Sequence, residues 1–240
     1  MANVRGKSIC VSPTWAGRAD CKHCAIRDQV LFATIPDDVL DQLLIPIDNL
    51  HYGHKMAIYN LNDPGRYVFT LRRGAVKLQQ LLSNGASRVV RVLKTGDFLG
   101  LEALIGRPYA HTAIALHSAD ICRIPVELIH KLNAGETPLY QELLLRWQRH
   151  LDQADTFITE LSTGSSRART ARLLLMLEGH AGALGACPLS REDMGQILGI
   201  TTETASRVVA EFKRLGFVTE VDGVLHFSDR DALLKFAEAD

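Results

Sequence analysis

The sequence predicts an α+β protein with a β-rich N-terminal half, a long connecting helix and a C-terminal half built from short helices. Glycines recur between residues 48 and 125 at roughly the 8–12-residue spacing of short antiparallel strands. Apolar side chains then recur every three or four positions between Leu139 and Leu161, and two capped helix starts follow Leu189. A chain of 240 residues can hold one large domain or two modest ones, with ample length for buried cores.

The composition limits where the protein works and what it binds. With 47% hydrophobic and 22% charged residues, the chain is typical of globular proteins. No apolar run approaches the roughly 18 residues that span a bilayer, and no apolar segment follows the polar N-terminus. We therefore expect a cytoplasmic protein with no membrane partner. The formal net charge of zero gives no general attraction to nucleic acid, so any phosphate contacts must come from local clusters.

The β-rich half predicts an all-β barrel or sandwich. Residues 67–71 and 88–93 are expected to be strands, because they are rich in β-branched and apolar residues and glycines lie near their ends. Between them, Asn84-Gly85 predicts a tight hairpin, since a type I′ turn needs positive φ at both central residues.

The long helix, predicted over residues 137–163, carries a repeat typical of a coiled coil. Its apolar positions are spaced four, three, four and three residues apart, with Leu139 and Leu143 extending the repeat: Trp147, Leu151, Ala154, Ile158 and Leu161. We expect a homodimer formed through residues 139–161. A single amphipathic helix packed on its own domain is the alternative.

The C-terminal segment, residues 164–240, predicts two short helices joined by a sharp turn. Ser190 is a good N-cap, with Asp193 three residues later in a capping-box position. Gly199 allows the chain to turn, and Thr201 caps the second helix. This order is that of a helix-turn-helix, whose second helix enters the major groove of DNA with its N-terminal residues leading.

The first residues of the second helix are the predicted DNA contacts: Thr202, Glu203, Ser206 and Arg207. Arg207 has the donors to bind guanine O6 and N7 together, Glu203 can accept from cytosine N4, and Ser206 can reach a base edge or a phosphate. Residues 217–227 predict two further strands around an Asp-Gly turn, which would form a wing. A helical hairpin with a polar face and no ligand is the alternative.

Five cysteines suggest metal binding or redox chemistry rather than a disulfide framework: Cys10, Cys21, Cys24, Cys122 and Cys187. Three of them lie in residues 1–30, where Cys21 and Cys24 form a C-x2-C pair. Such a pair alone is compatible with a redox dithiol or half of a zinc site. Cys187 is far along the chain from the others and is left out of the predicted site.

These motifs resemble the Crp/Fnr family of bacterial transcription regulators along nearly the whole chain. The run Glu203-Thr204-Ala205-Ser206-Arg207 matches the E-T-x-S-R pattern of the Fnr branch. The resemblance implies a double-stranded β-helix like that of cyclic-nucleotide-binding domains (a β-roll, residues 31–136), a dimerisation helix and a winged helix-turn-helix. It also implies a palindrome of TTGAT-like half-sites and a contact between the 83–85 hairpin and RNA polymerase.

The resemblance extends to the sensing group. Fnr carries an oxygen-labile [4Fe–4S] cluster on three N-terminal cysteines and one β-roll cysteine, and Cys21, Cys24 and Cys122 match three of those positions. Val30 stands where the remaining cysteine is usual, so Cys10 is the expected fourth ligand. Thiol redox sensing, zinc, or no metal at all are the alternatives.

Other ligands are less well supported by the sequence. The Crp branch holds a cyclic phosphate with an arginine before a serine or threonine, whereas His111 precedes Thr112 here, so no cyclic nucleotide is expected. Haem would need an iron ligand from the histidines in or near the β-roll: His51, His54, His111 and His117. A cupin-like enzyme would need a His-x-His pair inside the barrel, and none starts such a site, so catalysis is not expected.

Overall fold

A computed structural model gives the fold of the chain. It describes residues 13–21, 23–30, 32–33, 35–36, 47–133, 139–178, 186–187, 189–221 and 224–238. Cys10, the turn at residues 222–223 and the start of the predicted dimerisation helix lie outside the described residues.

The N-terminal half is an antiparallel β-roll, as the sequence and its resemblance predict. The described part has seven strands: β1 (Thr14–Arg18), β2 (Asp48–Tyr52), β3 (Ala57–Tyr59), β4 (Tyr67–Leu81), β5 (Ser87–Leu93), β6 (Phe98–Leu99) and β7 (Thr112–Pro125). Their order is β1-β2-β7-β4-β5, while β3 also pairs with β7 and β6 with β4. The two long strands β4 and β7 therefore lie at the centre of the sheet and pair with most of the other strands.

The interior of the β-roll is filled by apolar and aromatic side chains, which we call the β-roll core. Along β4, Val76 and Leu78 point into it, as the two-residue period of a strand requires. Tyr59 stacks on Tyr109 with ring centroids 4.0 Å apart, and Phe69 packs beside them. Apolar and aromatic side chains therefore pack against one another in the interior of the β-roll.

The hairpin between β4 and β5 differs from the predicted type I′ turn. The Leu82 amide donates to the Ala86 carbonyl at 2.8 Å, so the loop has three residues, 83–85, rather than two central residues. Gly85 has a φ of 81°, whereas Asn84 is not among the described residues with positive φ. The Gly85 amide donates to the Leu82 carbonyl at 2.9 Å and closes the loop, while the Asn84 side chain accepts a hydrogen bond from the Ala86 amide at 3.0 Å within it.

The C-terminal half is helical with a small sheet. After α1 (Val126–Asn133), which packs on the β-roll core, its helices are α2 (Leu139–Leu161), α3 (Ser166–Glu178), α4 (Arg191–Leu198), α5 (Thr202–Arg214) and α6 (Arg230–Glu238). The predicted wing strands are β9 (Val218–Val221) and β10 (Val224–Phe227). A two-residue strand that the sequence does not signal, β8 (Ala186–Cys187), pairs with the other edge of β10.

A second cluster, the C-terminal core, extends across both halves of the chain. It contains Met194, Ile197 and Phe212 of the helix-turn-helix together with Ala75 and Val89 of the β-roll. The outer face of the β-roll therefore packs against the C-terminal half. Among the described residues, no helix is long and apolar enough to cross a membrane.

Candidate DNA-reading and thiol sites

The helix-turn-helix forms from the local signals seen in the sequence. Ser190 caps α4, and Ser190 and Asp193 bond to each other's backbone amides as a full capping box. Gly199 ends α4 in the left-handed conformation, with φ of 65°, which favours glycine. Thr201 then accepts a hydrogen bond from the Thr204 amide and begins α5.

The predicted DNA contacts are exposed on α5. Thr202, Glu203, Ser206 and Arg207 all face solvent, while the opposite side of the helix packs into the C-terminal core. Hydrogen bonds from its own backbone amide and from the Thr201 side chain lower the pKa of Glu203, so this carboxylate is ionised at neutral pH. Arg207 forms no hydrogen bond or ion pair within the described part of the chain.

Several other basic side chains of this half are bound internally. Arg191 and Lys213 both bind the Glu220 carboxylate at 2.8 Å, one on each oxygen. Arg167 pairs with Glu211 at 2.9 Å, and Arg169 donates to the Leu198 carbonyl at 2.8 Å. Arg207 differs from these four cations because it has no such partner among the described residues.

The described cysteines of the predicted metal site lie at one side of the β-roll, where Cys21 belongs to the β-roll core and Cys122 packs against it. Cys122 of β7 pairs in register with Asn49 of β2 on one side and with Thr70 of β4 on the other. Its Sγ donates to Asn49 Oδ1 at 3.2 Å. Asn49 and Cys24 line the same cavity, of about 360 Å³, so the C-x2-C segment covers the face that carries Cys122.

The three thiols influence one another electrostatically. Burial raises the pKa of Cys21 to about 11, and the charge of Cys24 adds to this shift. Burial raises the pKa of Cys122 to about 12, with contributions from Cys21 and Cys24. Arg72, which lines the same cavity, opposes both shifts. Both thiols are therefore protonated at neutral pH, and a metal must displace their protons.

The residue types suit an iron–sulfur cluster, because three thiols and the Arg72 cation interact electrostatically. Within the described part of the chain, however, no group of three or more His, Cys, Asp or Glu stands in a metal-binding arrangement. Val30, at the usual cysteine position, is buried, so it packs instead of offering a ligand. Cys187 lies in β8, where its backbone pairs with Leu225 in the wing sheet.

A cavity of about 480 Å³ between β5 and α2 contains charged residues that the sequence did not indicate. Arg88, Arg91 and Glu102 of the β-roll line it together with His111 and with His150 of α2. Burial lowers the pKa of both histidines, that of His150 to about 4. Arg88 and Arg91 belong to β5, and no local motif in the sequence marks them as cavity residues.

The histidines named for haem are spread over the β-roll. His51 Nδ1 lies 2.7 Å from Asp120, and His54 Nδ1 lies 2.6 Å from the Leu116 carbonyl. His54 and His117 have ring centroids 6.2 Å apart, edge to face, whereas His111 lines the cavity beside α2.

One face of α2 is apolar and uncovered. Leu139 and Leu161, at its two ends, are fully buried within the chain. Between them, Trp147, Leu151 and Ile158 are 42%, 51% and 61% exposed. An exposed apolar row of this length is unusual on a monomer.

Comparison with known proteins supports the class that the fold and the exposed helix define, a DNA-binding transcription regulator. Residues 50–134 match the cyclic nucleotide-binding domain, and residues 168–236 match the Crp-like helix-turn-helix domain. The chain belongs to the Crp/Fnr family, as the sequence predicted.

Relatives of this family span most of the chain. The fumarate and nitrate reduction regulatory protein of Escherichia coli K12 is 24% identical over 228 residues, covering 90% of each chain. The regulatory protein HlyX of Actinobacillus pleuropneumoniae is 27% identical over 207 residues, or 83% of this chain and 86% of that protein. A CRP-family transcriptional regulator from Thermus thermophilus superposes with a TM-score of 0.70 at 25% identity, covering 78% of this chain and 96% of that structure.

Proposed function

We propose that the protein is an Fnr-like regulator that responds to oxygen or redox state through a [4Fe–4S] cluster. The observation that carries the proposal is that Cys122 packs against the buried cluster that contains Cys21, while Cys24 lines the adjoining cavity with Arg72. Cys10 would supply the fourth thiolate. Relatives named anaerobic regulatory protein and fumarate and nitrate reduction regulatory protein support this reading.

When bound, the cluster supplies an oxygen-labile group whose loss changes the charge and packing of that face. The cysteines would hold it, and the Arg72 cation would offset part of the negative charge of four thiolates. The cation also makes proton loss from Cys21 and Cys122 easier than burial alone allows.

The DNA contacts proposed are Thr202, Glu203, Ser206 and Arg207, reading TTGAT-like half-sites. Regulators of this family bind DNA as dimers and contact RNA polymerase. We assign dimerisation to the exposed row of α2 in residues 139–161, and we assign the polymerase contact to the hairpin at residues 83–85. Two copies related by a twofold axis would then read a palindrome.

Absorbance of protein purified without oxygen tests the sensing group. We expect a broad band near roughly 400 nm that bleaches in air, with iron and sulfide each near four per chain. Cys10→Ala and Cys122→Ala should abolish the band, whereas Cys187→Ala, outside the ligand set, should retain it. A colourless wild type would refute the cluster, and a sharp intense Soret band would assign sensing to haem.

A further inference from the structure

A buried ion pair joins the outer face of the β-roll to the first helix of the helix-turn-helix. Lys77 Nζ of β4 lies 2.6 Å from Asp193 Oδ1 of α4, and the side chains are only 9% and 6% exposed. Lys77 also donates to Gln196 Oε1 at 3.3 Å. The partners are 116 residues apart in the chain, so this contact exists only in the folded protein.

The strand geometry of β4 accounts for a lysine at this place. Val76 and Leu78 point into the β-roll core, whereas Ala75 on the other face belongs to the C-terminal core. Lys77, two residues from Ala75, shares that outer face because side chains alternate along a strand. Its charge is thus enclosed between the two cores and has Asp193 as its ionic partner.

Asp193 links this contact to the start of the DNA-reading unit. Its Oδ1 binds Lys77, while its Oδ2 accepts hydrogen bonds from the Ser190 amide and hydroxyl at 3.3 and 2.6 Å. One carboxylate therefore both caps α4 and ties it to the β-roll.

The other end of α4 also rests on the β-roll. A Cβ atom added at Gly199 would overlap the guanidinium of Arg88 on β5. On its other side, Arg169 of α3 donates to the Leu198 carbonyl at 2.8 Å. The turn of the helix-turn-helix is therefore enclosed by one arginine from each half of the protein.

We propose that the Lys77–Asp193 ion pair is an interdomain latch that fixes the helix-turn-helix on the β-roll of its own subunit. In this latch α4 is docked on the β-roll, while the exposed face of α5 stays accessible to DNA. Removing one partner leaves the other charge buried and unpaired, which strongly disfavours the docked state. The proposal needs neither the cluster nor the DNA site.

Hydrogen–deuterium exchange of the full-length protein, followed by mass spectrometry, tests the latch. In Lys77→Met we expect peptides of α4 to exchange faster by at least about tenfold, because undocking exposes them. Peptides of β2 and β7 should exchange as in wild type, which shows that the β-roll is folded. Lys131→Met, at an exposed position of α1, is the matched control and should change neither.

A double substitution separates an ionic latch from simple loss of packing. Asp193→Asn keeps an oxygen for the cap but removes the charge, so Lys77→Met with Asp193→Asn leaves no unpaired ion. We expect the increase in α4 exchange in the double variant to be smaller than the sum of the increases, on a free-energy scale, in the two single variants. Purely additive effects, or wild-type exchange of α4 in Lys77→Met, would overturn the latch.

Discussion

The half-buried side chain of His150 is expected to make the stability of this fold depend on pH. His150 lies on α2 facing the cavity that Arg88, Arg91, Glu102 and His111 also line. Burial, aided by the positive charge of Arg91, lowers the pKa of His150 from 6.5 to about 4. The imidazole is therefore neutral at pH 7 and packs as an uncharged group between the helix and the β-roll.

His150→Gln should reduce the loss of stability in mild acid. Because the folded-state pKa is lowered, the unfolded chain takes up the proton first, so the free energy of unfolding falls as the pH drops from 6.5 towards 4. Denaturant unfolding of both proteins at several pH values measures this slope. The exposed His130→Gln is the control, and a His150→Gln protein with the wild-type slope would contradict the account.

At the scale of elements, the sequence predicts correctly those features that depend on residues close together in the chain. The caps of α4 and α5 depend on residues three apart, so Ser190, Asp193 and Thr201 could be identified directly. The Asn84-Gly85 hairpin also has a local signal, but the register of β4 and β5 sets its length, and that part of the prediction was wrong. β8 has too few residues for any period to appear.

The exposed row of α2 carries the element-scale prediction. Ile158→Asp should convert a dimer to a monomer, because a charge would be buried in the apolar contact. Sedimentation velocity at micromolar concentration measures the change in mass. Thr159→Asp, exposed on another side of the same helix, should remain dimeric, and dimeric Ile158→Asp would refute the assignment of this face.

The whole molecule is organised around one long strand that touches both functional regions. On β4, Thr70 pairs with Cys122 at the thiol face, and Lys77 binds Asp193 at the helix-turn-helix. We therefore expect a change at the thiols to reach α4 within one subunit. The sequence could identify both ends of this path, but it gave no sign of the Lys77 contact, because only tertiary folding brings the two halves together.

The arrangement around the cysteines follows the same rule. The C-x2-C spacing and Cys122 could be found by resemblance, whereas Arg72 could not, because its place in the cavity depends on the pairing of β4 with β7. Arg88 and Arg91 were likewise missed, since no local motif marks a strand residue that lines an interdomain cavity.

The affinity of the protein for a TTGAT palindrome, measured without oxygen and again after air enters the same sample, tests the central claim most directly. We expect air to weaken binding by roughly fivefold to a hundredfold, the range of typical allosteric coupling. Arg207→Ala should bind poorly in both states, because it removes the proposed guanine contact. An affinity that air leaves unchanged would contradict oxygen sensing, and equally weak binding of wild type and Arg207→Ala would contradict the proposed DNA site.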